Sequence, residues 1–168
     1  MSDIAAFGIA ATLPRGWDGQ IFKRPDDSAR RAADQPTTAT ELPPAGNGTV
    51  QPVAHLANFP LPATRGDYGS GAVERMGPAD ILVCLLEFDR EAVGTPLFSH
   101  RGVPRFSITD FAPQTMQRAI AGMCGAQSFF RERGRAFCAY VVLGSYRLRA
   151  PLVPPVNGVM AGVRIDPA

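Results

Sequence analysis

Gly69-Ser70-Gly71, inside YGSGAVERMG (68–77), is the densest run of small residues in the chain. Paired glycines can aim backbone N–H groups at a bound anion. A phosphate loop, however, follows a strand, opens a helix and keeps a third glycine or a lysine in register. Here Glu74 stands at the third position and no lysine follows. The same residues also read as a short helix over 71–76, with Ser70 at its N-cap, Gly77 beyond its end and Pro78 closing it. The two readings make opposite demands on the Gly69 and Gly71 amides. A cradle needs them open, and a turn engages them within the protein.

Nucleophilic or acid–base chemistry would draw on few groups. His55 and His100 are the only histidines, and no HxH, HxxxH or CxxC spacing accompanies them. His55 reads as a hydrogen-bonded sheet residue and His100 as a loop residue. Cys84, Cys124 and Cys138 sit in apolar runs and read as inert buried thiols. Glu87 and Asp89 share a face if their strand reaches that far, but Asp89 is equally placed to cap the helical turn after it. No GxSxG elbow is present. No catalytic, metal or cofactor-binding residue is therefore expected, and no cofactor.

Arginine supplies the remaining candidates. Lys23 is the single lysine beside 16 arginines, and the net charge is +2. Residues 1–100 carry 8 basic and 12 acidic side chains, whereas residues 101–168 carry 9 and 3. Arg131, Arg133 and Arg135 crowd one polar stretch, and Arg147 and Arg149 follow. Docking of another protein is the functional reading of this cluster, against a solvated hairpin tip. Nucleic acid or an anionic surface is disfavoured, because the neighbouring Phe129, Phe130, Phe137 and Tyr140 are spaced for a core and no RNP-like or KH-like motif appears.

These residues need elements to hold them. FGIAAT (7–12) and GQIFKR (19–24) read as strands, with Trp17 in the turn between. Residues 24–52 are rich in Pro, Thr, Ala and Asp and read as a long loop or partly disordered insertion, with a marginal helix at 28–33. VAHLANFPL (53–61) is extended and places His55, Ala57 and Phe59 on one face. ILVCLLEF (81–88) is a strand covered on both faces. GVPRFSI (102–108) reads as a short edge strand. Residues 126–145 form a hairpin whose first arm ends at Phe129-Phe130, with Gly134 in the turn and the second arm in mid-sheet. Leu152, Val153, Val156, Val159, Met160 and Val163 fall at helical period, so a helix starts near Leu152 or Val153 and ends near Gly162, keeping Pro154 and Pro155 in its first turn.

Together they predict a single α+β domain with an antiparallel sheet of about five or six strands, packed against a C-terminal helix. The segments ATLPRGWDGQIFKR, FFRERGRAFCAYVVLGS and LVPPVNGVMAGVRI resemble the pattern of the Mog1/PsbP-like fold. That resemblance implies a hairpin followed by a helix and a short terminal strand, in accessory or binding proteins of larger assemblies. YGSGAVERMG and LLEF are also similar to stretches of actinobacterial proteins without an assigned activity. Many bacterial members are secreted lipoproteins. The first 17 residues here have neither a basic n-region nor a lipobox, and no run of 18 apolar residues occurs, so a cytoplasmic setting without a membrane span is expected.

The expected function is non-enzymatic protein–protein interaction or assembly. The alternatives are a small-ligand or anion binder using Gly69–Gly71 and nearby arginines, or a hydrolase-type enzyme gathering His55, Glu87 or Ser70 in a polar cleft.

Overall fold

The computed structural model describes residues 1–24 and 50–168. The expectations for a loop and short helix within 25–49 lie outside them. Among the described residues, eight strands form two antiparallel sheets. The larger has the order β3 (Asp18–Lys23), β4 (Pro52–Ala57), β5 (Ile81–Phe88), β7 (Arg135–Leu143), β6 (Cys124–Glu132). The smaller has the order β1 (Ser2–Ala6), β2 (Ile9–Leu13), β8 (Val163–Ile165). Helix α1 spans Arg149–Ala161. The α+β class with antiparallel pairing and a C-terminal helix is as the sequence implies, but the strands divide into sheets of five and three where a single sheet of about five or six was expected.

Both faces of the large sheet are covered, so β4, β5 and β7 are buried along nearly their whole length and are mostly apolar. On one face, Ile81, Val83 and Leu85 of β5 meet Phe137, Ala139 and Val141 of β7, and α1 and the small sheet pack over them. On the other, Leu82, Cys84 and Leu86 lie under Ala72, Val73, Met116 and Met123 from two covering segments.

Three expectations need correction. The first strand is in fact a hairpin, β1–β2, turning at Phe7 (φ 53°) and Gly8 (φ 72°). Left-handed backbone at a phenylalanine is uncommon, and the turn is held from outside by Arg135, as described below. The segment 102–107 contains no strand; Pro104 is buried there and Asn157 of α1 replaces a ladder. Asn157 Oδ1 accepts the Phe106 N–H (2.8 Å), and Asn157 Nδ2 donates to the Phe106 carbonyl (2.9 Å). Finally, α1 begins at Arg149, so Pro154 and Pro155 fall in its second turn. They remove the donors that would bond the carbonyls of Ala150 and Pro151. Both of those residues are exposed, at a helix face where carbonyls without an intrahelical partner can be solvated.

The 126–145 hairpin forms with Arg133 (φ 50°) and Gly134 (φ 79°) in its turn. β7 lies between β5 and β6, in mid-sheet as expected. The first arm, however, runs on to Glu132, which draws Arg131 and Arg135 into strands.

Candidate functional site

The glycine stretch is part of a cover over the large sheet. Gly69 N–H donates to the Gly66 carbonyl (2.8 Å), and Gly71 N–H donates to the Glu74 carboxylate (2.6 Å). The two amides that an anion cradle requires are thus engaged within the protein. Ser70 is exposed and caps nothing; the helical turn is limited to Val73–Arg75, with Ala72 before it. Gly69 has φ +83°, and a Cβ there would stand 2.3 Å from Leu82 Cδ2 and 3.6 Å from Cys84 Sγ. The cover therefore presses backbone onto the sheet where no side chain fits. Gly69→Ala is expected to destabilise the protein by roughly 1–3 kcal/mol, read from the midpoint of urea unfolding.

Beneath the cover, strand register aligns one row of residues across all five strands: Gln20, His55, Cys84, Tyr140, Gln127. Period-2 patterning cannot reveal such a row, because it depends on how five separate strands align. His55 is fully buried. Arg65 Nε donates to His55 Nδ1 (2.7 Å), so the ring proton sits on Nε2 and is donated to the Asp67 carbonyl (2.7 Å). Arg65 also donates to the Pro62 carbonyl (2.6 Å) and to Gln20 Oε1. Asp67 pairs with Arg24 (3.2 Å). Burial, with a smaller contribution from the Arg65 charge and against the Asp67 bond, holds the His55 pKa down at about 4.

Cys84 stands directly opposite His55. The pair has the residue types of a thiol nucleophile and its base. Both imidazole nitrogens are already bonded to the cover, and burial raises the Cys84 thiol well above the ordinary cysteine range. Burial likewise raises Cys138 to about 11. All three cysteines are free thiols. The row anchors the covering segments, with Tyr140 Oη accepting the Gln117 N–H (2.9 Å) and packing edge-on against Tyr68. Glu87 faces the other side of the sheet and Ser70 lies on the outer surface, so His55, Glu87 and Ser70 share no cleft.

The arginines do not form one cluster. β7 is nine residues long, which puts roughly 30 Å between the 131–135 end and the start of α1. Arg131 is half-buried; its N–H bonds the His100 carbonyl (2.8 Å) and its side chain the Val93 carbonyl (3.3 Å). Arg133 is exposed and pairs loosely with Glu132 (3.8 Å). Arg135 is buried and unavailable to a partner. Its Nε and Nη2 bind Glu87 (2.8 and 2.6 Å), and Nη1 and Nη2 donate to the Gly8 and Phe7 carbonyls (2.8 and 2.9 Å). Asp89 stands at the N-cap of the helical turn Arg90–Gly94, as read, but makes no side-chain cap bond there and accepts from Gln51 Nε2 (3.0 Å). At the other end, Arg149 stacks on Tyr146 (3.9 Å to the ring centroid) and bonds its carbonyl (2.7 Å), while Arg147 is exposed.

The surface beside those last two arginines was not legible as a site. Residues 150–161 of α1 contain no charged side chain, and Ala150, Pro151, Pro154, Pro155, Gly158 and Ala161 face outward. An open groove of about 510 Å³ runs between this face and the 105–108 segment, bordered by Arg105, Ile108, Ala150, Pro154, Gly158 and Ala161. Ile108 is 42% exposed and Asn157 closes the floor. A surface helix normally turns charged residues to water, and one apolar all round is normally buried. The notable absence of outward charge in LVPPVNGVMAG is the sequence signal that could have marked this face.

Among the described residues, no helix is long and apolar enough to cross a membrane. Comparison with protein-family models, curated proteins and solved structures finds no match to this chain.

Proposed function

We propose that this protein is a non-enzymatic interaction module that docks another protein chain on the outward face of α1 and its adjoining groove. The observation that carries this reading is the uncharged face from Ala150 to Ala161, which has the composition of a covered helix but lies open. The engaged ring of His55 and the neutralised Glu87 support a non-enzymatic role, because neither is available as a base. The separate, buried thiols support a reducing, cytoplasmic setting. The succession of hairpin, helix and short strand at the C-terminus supports the Mog1/PsbP-like resemblance.

Gly158 offers a clean test, because a Cβ built there meets nothing within 4 Å. Gly158→Ala is expected to stabilise the protein by about 0.5–1 kcal/mol through helix propensity alone. Gly158→Glu is expected to fold normally while placing a charge on the groove. Native affinity capture with the two variants should then recover the same stoichiometric protein with Ala and lose it with Glu. Equal recovery with both, or no stoichiometric protein with either, counts against the docking face.

A further inference from the structure

The charges around the groove define the kind of chain that fits it. Arg105 borders the groove, and Arg147 and Arg149 stand at the end of α1 where the groove reaches Ala150. Among the described residues the ion pairs are Arg24–Asp67, Arg118–Glu74, Arg133–Glu132 and Arg135–Glu87, so none of these three arginines is neutralised. The first turn of α1 holds no acid and has no side-chain cap, leaving the positive end of its dipole unopposed. The nearest acid in the 105–110 segment is Asp110, whose carboxylate already accepts the Ser107 N–H (2.6 Å). The site is therefore an uncharged floor with Arg105 on its border and Arg147 and Arg149 just beyond its Ala150 end, Arg149 being held in place by Tyr146. Tyr and Arg are the residue types that anchor protein interfaces. Tyr146 and Leu148 beside them are 37% and 43% exposed.

We infer that the occupant of this groove is an acidic amphipathic peptide segment of the partner, with small apolar side chains on the α1 face and Asp or Glu meeting Arg105, Arg147 and Arg149. This deepens, and rests on, the protein-binding reading above. Residues 150–161 of α1 extend about 18 Å at helical rise, which suits a segment of about 12 residues if helical. Charge of this kind sets orientation and association rate more than affinity. The shallow apolar floor should therefore give modest, salt-sensitive binding.

The test uses a phage-displayed library of random peptides of about 12 residues, selected on the full chain and counter-selected on Gly158→Glu. Winning peptides are synthesised and titrated against both proteins and against an Arg105→Glu/Arg147→Glu double variant. The expected result is enrichment of peptides with two or more acids flanking apolar residues. Their affinity should fall about tenfold with the double variant and about threefold or more between about 50 and 500 mM salt. Peptides that lose binding with Gly158→Glu but show no acidic bias and no response to salt would overturn the acidic occupant and leave the docking face standing. Failure to select any peptide sensitive to Gly158→Glu would remove the docking face itself, and this inference with it.

Discussion

Arg135→Ala is expected to cost about 3–5 kcal/mol of folding stability, the range for stranding one member of a buried ion pair. The side chains of Arg135 and Glu87 are 9% and 10% exposed, so water cannot replace the lost guanidinium around Glu87. The same deletion frees the carbonyls of Phe7 and Gly8, which Arg135 holds at the β1–β2 turn. Backbone at φ 53° is unfavourable for phenylalanine, and without those bonds the hairpin should loosen first. Hydrogen exchange should show early loss of protection in residues 2–13 of the variant. The double change Arg135→Met with Glu87→Leu is expected to recover most of the loss, because it removes both charges together. Arg133→Ala is the control: that side chain is exposed and its pairing loose, so its effect should lie within about 0.5 kcal/mol. A loss below about 1 kcal/mol for Arg135→Ala would mean that Glu87 reaches water some other way.

The second large effect is on pH. His55 has a folded pKa of about 4, below the ordinary value of 6.5 that the unfolded chain restores. Between these values the unfolded state binds more protons than the folded one, so stability rises with pH across that window. The contribution is complete above about pH 6.5 and is lost as pH falls towards 4, below which both states are protonated. Its size is about 3 kcal/mol. The main cause is burial of the ring; in addition, a second ring proton, on Nδ1, would face the Arg65 guanidinium that now donates to it. His55→Gln should flatten the stability curve in this window while costing stability at pH 7, checked by urea unfolding at closely spaced pH values. Parallel curves for the two proteins would show that His55 titrates alike in the folded and unfolded chains, and would contradict the lowered pKa.

The sequence carries most of the architecture and little of the wiring. ILVCLLEF announces a strand covered on both faces, and the run from Ala136 to Leu143 belongs in mid-sheet for the same reason. The β1–β2 hairpin is hidden because Phe-Gly lacks the usual Asn-Gly or Asp-Gly turn residues. What holds it is Arg135, contributed from the far end of the chain. Arg131, Arg133 and Arg135 look equivalent as neighbours in RERGR, yet the longer strand arms turn them to different surroundings. His55 is legible as a sheet residue, but its partners Arg65 and Asp67 come from a covering segment with no regular period. The groove beside α1 escapes because the apolar stripe that marks the buried face says nothing about the outward one. There the informative feature is the absence of charge across Ala150, Pro151, Pro154, Pro155, Gly158 and Ala161.

The most direct measurement of docking is site-specific photo-crosslinking in living cells, with a benzophenone amino acid in place of Gly158 and, separately, in place of exposed Ser70 on the cover. A protein-binding face on α1 predicts a discrete crosslinked species of defined mass from position 158 and none from position 70. Absence of any adduct at position 158, or the same diffuse adducts from both positions, would contradict it.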